Sequence, residues 1–318
     1  MHSPITNQKR SFAAYLPMVL VLFTLALVSC KDDEDVSPEL ASASIENLEI
    51  GSGNNGKGII GRDFHLDMDV VAATRIENVQ IAIKQQAGKT YVKEWSFNLA
   101  WEEFKGAKNT NVHKHFDIPK DAPEGSYDFI IRITDENGSV KEDKHEIELI
   151  SAEKLPVMPE LYSLMLEKPG TGFVYILNRG YTDLNDKGYS KGDTLKSYVD
   201  IRGVKDDGVI YTLLIKKSAG HLPETVKDID FSKVIVADVR QHTGLKQTGV
   251  FTNYVGMPNY SPRALVVGSA ADNNMPTASA IDKGKAWESG DYYFGVVYTN
   301  TTHNLSAHYY IDLKLAGF

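Results

Sequence analysis

The sequence predicts an all-β protein: an N-terminal immunoglobulin-like β-sandwich followed by a second β-rich, sandwich-like domain. Three observations carry this. The 318 residues include sixteen Tyr and twelve Phe beside many Val, Ile and Thr, residues that suit a pleated, half-buried surface. Several segments alternate strictly. In Asp63–Val71, Phe64, Leu66, Met68 and Val70 share one face while His65, Asp67 and Asp69 share the other, the period of two of a strand. Seven such segments follow one another within about 110 residues, the number and spacing of an immunoglobulin sandwich.

Taken in order, Ser44–Ile50 is the first strand, and residues 51–58, rich in Gly and Asn, form a turn. Asp63–Val71 is the second strand. Ile76–Lys84 follows with Val79, Ile81 and Ile83 at period two, then Trp95–Trp101 and Val112–Phe116. In the first of these two, Trp95, Phe97 and Leu99 share a face that suits the core, although Trp95, Phe97 and Trp101 also read as an aromatic platform for a sugar. Within residues 123–140, Tyr127, Phe129, Ile131 and Ile133 share a face, and D-E-N-G closes a hairpin into His145–Ile150. Tyr127 opens the penultimate strand, where a tyrosine corner belongs.

Two prolines in L-P-V-M-P, residues 155–159, mark a boundary. They divide residues 41–151 from residues 160–318. The second part offers strands at Gly172–Leu177, Lys196–Ile201, Gly208–Lys216, Lys233–Val239, Arg263–Val267, Ser289–Thr299 and Ala307–Leu315, with room for an α or 3₁₀ insert around Val226–Phe231. Its ending echoes the first part: Gly290, Tyr292, Phe294 and Thr299 repeat Gly125, Tyr127, Phe129 and Thr134.

The N-terminus reads as an export signal. Lys9 and Arg10 precede the apolar run Leu16–Val28, which is short for a membrane span. The run ends in L-V-S-C at Cys30, the single cysteine of the chain. This ending resembles the bacterial lipobox. The resemblance implies that residues 1–29 are a signal peptide and that Cys30 is acylated at the mature N-terminus. No thiol then remains for a disulfide, a thiolate metal site or a nucleophile. The acidic tether of residues 30–40 begins K-D-D-E-D after the cysteine. It resembles the export signal of Bacteroidetes surface lipoproteins, which implies an outer-membrane anchor facing the cell exterior. A plain solvated spacer accounts for the same residues.

Net charge is −8, and removal of the leader with Lys9 and Arg10 takes it to −10. Nucleic-acid binding needs clustered Lys and Arg, so no nucleic-acid partner is expected. No G-x-S-x-G, Walker, G-x-G-x-x-G or H-E-x-x-H motif occurs, and nothing supports an enzyme. Residues 183–193, D-L-N-D-K-G-Y-S-K-G-D, look like a calcium loop, but Lys187 falls where an oxygen ligand is required and Thr194 where a Glu is expected. His145, His303 and His308 each stand alone and read as surface residues.

Histidines supply the sharpest chemical signal. His65, Asp67 and Asp69 oppose the apolar face of the second strand, and His113, His115 and Asp117 oppose Phe116 and Ile118 on the fifth. In an immunoglobulin sandwich these two strands are neighbours, about 4.8 Å apart. Three imidazoles therefore converge on one face, with Asp67 and Asp117 beside them. That set suits zinc or copper. Parity alone also makes any outward face polar, so a solvated surface explains the same residues. The segments G-R-D-F-H-L-D-M-D-V-V-A and H-K-H-F-D-I-P-K-D-A-P-E-G-S-Y-D-F resemble a Bacteroidetes lipoprotein family, domain of unknown function 4625, over about residues 40–150. The resemblance covers all three histidines and implies an immunoglobulin-like surface module. The expected role is a binding lipoprotein beside an outer-membrane transporter. Two other roles compete with it. One is a glycan-binding accessory protein using Tyr254, Tyr260 or Trp287, and the other is a structural or adhesive module.

Overall fold

The structure is a computed structural model and describes residues 41–183, 188–254 and 261–318. The leader, Cys30, the tether, Tyr260 and part of the 183–193 turn lie outside the described residues.

The first eight strands are β1 (Ser44–Ile50), β2 (Lys57–Ile59), β3 (Asp63–Val71), β4 (Ile76–Gln85), β5 (Ser96–Trp101), β6 (Asn109–Asp117), β7 (Gly125–Asp135) and β8 (Val140–Ile150). They form two sheets, β1-β3-β6 and β2-β8-β7-β4-β5. One core joins them: Phe64, Leu66, Met68 and Val112 from the first sheet pack with Ile81, Ile83, Phe129, Ile131 and Leu149 from the second. The alternation in β3 therefore does what its period demands. Trp95, Phe97 and Leu99 pack against the same core, with Trp95 edge-on to Tyr127 at 5.4 Å, so the segment serves packing rather than a platform.

β2 was hidden in the stretch that sequence assigns to a turn. It pairs parallel to β8, and Gly58 makes that possible. A Cβ at Gly58 would lie 2.6 Å from Leu149 Cδ2, closer than any packed pair tolerates.

The remaining strands are β9 (Glu160–Lys168), β10 (Gly172–Ile176), β11 (Gly180–Tyr181), β12 (Gly188–Ser190), β13 (Thr194–Lys216), β14 (Val234–Thr252), β15 (Ala264–Val266), β16 (Gly290–Asn300) and β17 (Leu305–Ala316). They make a nine-stranded sheet ordered β11-β10-β9-β13-β16-β17-β12, with β14 and β15 also on β13. The two expected strands at Lys196–Ile201 and Gly208–Lys216 are one strand of 23 residues. Its early part pairs with β9 and its late part with β16. Between them the register against β14 shifts repeatedly around Val204 and Asp206. Such bulges bend a strand without ending it, so turn-like residues sit inside the ladder.

The late half of β13 is apolar on both faces. Ile210 and Leu214 enter the main core of this sheet. Val209, Tyr211, Leu213 and Ile215 meet Val234, Val236 and Val297 on the opposite face. That second face is covered by the segment joining β13 to β14, which packs Val226 and Ile229 onto it. The segment contains two 3₁₀ turns, Lys217–Ala219 and Val226–Asp228, the second capped reciprocally by Thr225 and Asp228. No α-helix occurs among the described residues. Residues Ser42–Phe318 form one compact unit. Asn55 Nδ2 donates to Asn304 O at 3.0 Å across the two groups of sheets.

The repeated ending has a structural counterpart. Tyr127 Oη donates to Pro123 O at 2.7 Å, and Tyr292 Oη donates to Glu288 O at 3.1 Å. In both, the partner lies four residues upstream and the ring is buried. Tyr127→Phe should leave the buried Pro123 carbonyl short of a donor and lower stability by about 1 kcal/mol, and Tyr292→Phe, whose partner Glu288 is exposed, should cost less. Denaturant midpoints should fall with unchanged slope.

Candidate metal centre

The pairing of β3 with β6 sets the geometry. His65 stands opposite His115, and Asp67 opposite His113. The ring centroids of His65 and His113 are 5.1 Å apart, those of His65 and His115 5.2 Å, and those of His113 and His115 5.2 Å. The Nε2 atoms of His113 and His115 approach to 3.3 Å. Two nitrogens bound at about 2.05 Å to one tetrahedral ion lie about 3.3 Å apart.

A fourth donor comes from the segment that covers β13. Glu224 Oε1 lies 2.8 Å from His115 Nε2 and 3.2 Å from His113 Nε2. Its Oε2 lies 3.0 Å from His65 Nδ1. One donor atom from each of His65, His113, His115 and Glu224 falls within 4.8 Å of all the others. Glu224 is held firmly from both sides. Tyr310 Oη donates to the carbonyl of Pro223 just before it, and the Thr225 cap follows it. Val226 N is tied to Thr299 Oγ1 at 3.0 Å.

Glu224 also explains an exception to parity. His65 belongs to the outward set of β3, yet it is only 6% exposed. Both of its ring nitrogens are buried, and neither has hydrogen-bond geometry: Nδ1 meets the Glu224 carboxylate at 3.0 Å without a well-formed bond. Buried polar atoms are almost always satisfied, so a buried imidazole with no well-formed hydrogen bond beside three other donors is a group that could hold a cation. His113 and His115 remain partly open, with side chains 43% and 36% exposed.

Around these four, Asp63 Oδ2 accepts from His115 Nδ1 at 2.6 Å. This bond turns His115 Nε2 inward, the usual service of a carboxylate behind a metal-binding imidazole. Glu49 Oε1 lies 3.8 Å from His65 Nε2. Asp63 and Glu224 together push the His115 ring up to about 10. Burial pulls His65 down, but Glu224 and Glu49 together outweigh it and the net direction is up. Burial likewise pushes Glu224 up, yet contacts from His115 and His65 hold it well below the usual carboxylate range. Without a metal, the cluster is thus a carboxylate held chiefly by the protonated ring of His115.

The three expected histidines come together as their parity requires. The expected acids do not join them. Asp67 Oδ1 takes a hydrogen bond from Asn111 Nδ2 at 2.7 Å, and Asp117 sits opposite Asp63 at the far end of the ladder. Asp63 and Glu224 take the places assigned to these two. Asp63 opens the same strand with the parity of His65, two residues before it, so alternation already put it on the histidine face. Glu224 had only a local signal, the T-x-x-D spacing of Thr225 and Asp228 that fixes the turn beside it. The expected open sheet face is also revised, because the residue 217–233 segment lies over it.

Of the lone histidines, His145 pairs with Asp143 at 3.2 Å and His303 with Asp206 at 2.8 Å. His308 is not isolated: it shares a cavity wall with His65 and Glu224. Trp287 stacks on Phe318 with centroids 5.7 Å apart and donates from Nε1 to Ser269 O. Tyr254 meets Tyr198 edge-on at 5.6 Å. Neither stands clear as a sugar platform.

Residues 28–150 match the model of the family described as Domain of unknown function (DUF4625). The match spans β1 to β8 and the three histidines, and ends before Glu224. No curated protein matches the chain. Among solved structures, dimeric latent PorU from Porphyromonas gingivalis is 6% identical with a TM-score of 0.30, covering 90% of this chain and 21% of that one. Escherichia coli alpha-2-macroglobulin activated by porcine elastase is 10% identical with a TM-score of 0.25, covering 87% and 22%. The chain therefore spans about a fifth of the length of either.

In chelator-treated protein the cluster should impose a specific pH dependence. A histidine raised in the folded state stabilises fully below its unfolded value of 6.5, and that contribution is lost as pH rises toward about 10. Stability should therefore fall between these limits. His115→Gln should flatten the decline, as read from urea midpoints at a series of pH values.

Proposed function

We propose that this protein is a lipid-anchored, surface-exposed binding lipoprotein that holds one divalent transition metal, zinc or copper, through His65, His113, His115 and Glu224. The observation that carries the reading is the convergence of three imidazoles and one carboxylate within 4.8 Å, one of the imidazoles buried and without a well-formed hydrogen bond. Three nitrogens and one oxygen suit tetrahedral zinc, while copper(II) favours a flatter arrangement of similar donors.

The role is binding rather than catalysis. Four protein donors complete a tetrahedral shell, whereas catalytic zinc keeps one position for water. Anchoring rests on the L-V-S-C ending at Cys30, and the outward-facing position at the outer membrane on the K-D-D-E-D run that follows it. No helix among the described residues is long and apolar enough to cross a membrane. A lipoprotein in that position suits capture of a metal, or of a nutrient carrying one, beside an outer-membrane transporter.

Elemental analysis of protein expressed from Ser37 onward should find one zinc or copper per chain. His113→Ala and His115→Ala should each lower affinity at least tenfold and reduce the metal retained after dialysis. Substoichiometric metal that these changes do not alter would overturn the reading. A second outcome follows from the origin of the donors, three from the first sandwich and one from the second. Chelation should expose residues 155–159 to proteolysis, and Glu224→Ala should do so even in excess metal.

A further inference from the structure

Beside the metal centre lies a cavity of about 290 Å³. It sits where the two groups of sheets meet, a common place for ligand sites. The first sandwich contributes Lys57, Ile59, Arg62 and Phe64, the connecting segment Met158, and β17 Leu305. Its acids are already engaged: Asp63 by His115 at 2.6 Å, Glu160 by Arg202 at 2.8 Å, and Glu224 within the cluster. Its two cations are not. Neither Lys57 nor Arg62 has an ion-pair partner among the described residues. The chamber thus combines apolar walls with two uncommitted positive charges.

We infer that this cavity binds a small organic carboxylate, its anionic group held by Arg62 and Lys57 and its apolar body lying against Ile59, Phe64, Met158 and Leu305. A planar guanidinium is the side chain best matched to a carboxylate, through two parallel hydrogen bonds. The volume is at the lower end of ligand pockets, near 300 Å³, which limits the body to a short chain or a single ring. The inference rests on the proposed metal reading in one respect only: His65 and Glu224 form part of the wall, and the metal keeps them in place. The carboxylate does not need to coordinate the metal.

Titration calorimetry of the full zinc-loaded chain in mild detergent tests this with hexanoate and benzoate, and with benzyl alcohol as the neutral counterpart. Saturable one-to-one binding of both acids is expected, with the alcohol at least tenfold weaker. Arg62→Met, at an exposed position, should weaken the acids about tenfold, the worth of a charge-assisted bond. Met158→Trp should fill the cavity and abolish binding. Unfolding curves establish that both variants are folded. No saturable binding of either acid to folded protein, or equal affinity in both variants, overturns the inference. Zinc content measured on the same samples separates the two readings. Protein that holds zinc but no acid sinks this inference alone, and protein that binds acid but holds no zinc sinks the metal reading alone.

Discussion

One ladder governs the chemistry of this protein: β3 against β6, in the register that sets His65 opposite His115. A strand has a side-chain period of two, so a slip of one residue would exchange the faces of the whole segment. Phe64, Leu66, Met68 and Val70 prevent that slip, because each is essentially excluded from solvent. The core thereby fixes the imidazoles. Their convergence follows from burying the alternate residues, and no dedicated loop is needed to assemble them. A site carried on paired strands is also stiffer than one carried on loops.

The ladder alone would leave the histidines on an open face. What changes their character is the carboxylate of Glu224, brought over them by a segment whose own apolar residues, Val226 and Ile229, are anchored elsewhere. A buried carboxylate is costly unless it is paired. Here its partners are imidazoles that must either carry protons or share a cation. A divalent ion satisfies both oxygens and nitrogens at once and releases the protons. On the proposed reading the metal-free cluster is the less complete arrangement, since His65 meets Glu224 at 3.0 Å without a well-formed hydrogen bond.

Much of the first sandwich was legible because its strands obey a single rule. β3 was bounded correctly at both ends, and the others to within a few residues, since alternation is strict and one face is wholly apolar. The second group of strands was harder for two physical reasons. β13 is buried on both faces in its late half, which erases alternation, and its bulges carry turn-like residues through an unbroken ladder. β2 was missed because a three-residue strand built around Gly58 has no pattern to detect. The histidine cluster was legible because its members share two neighbouring strands. Glu224 was not, because it lies 109 residues from His115 in the chain. Sequence spacing says nothing about contacts formed by packing one sandwich on another.

The same separation in sequence gives the centre its mechanical consequence. Three donors belong to β3 and β6, and the fourth belongs to a segment anchored on β13 and β16. On the proposed metal reading, affinity and sandwich docking are linked: any ion that binds all four donors would stabilise the docked arrangement by its differential affinity for it. Other polar contacts bridge the junction nearby, the Asn55–Asn304 bond among them. The cavity lined by Arg62 and Met158 lies on the same junction, so its shape depends on the same docking. A change in metal occupancy would reach that cavity through the wall formed by His65 and Glu224, with no rearrangement inside either core.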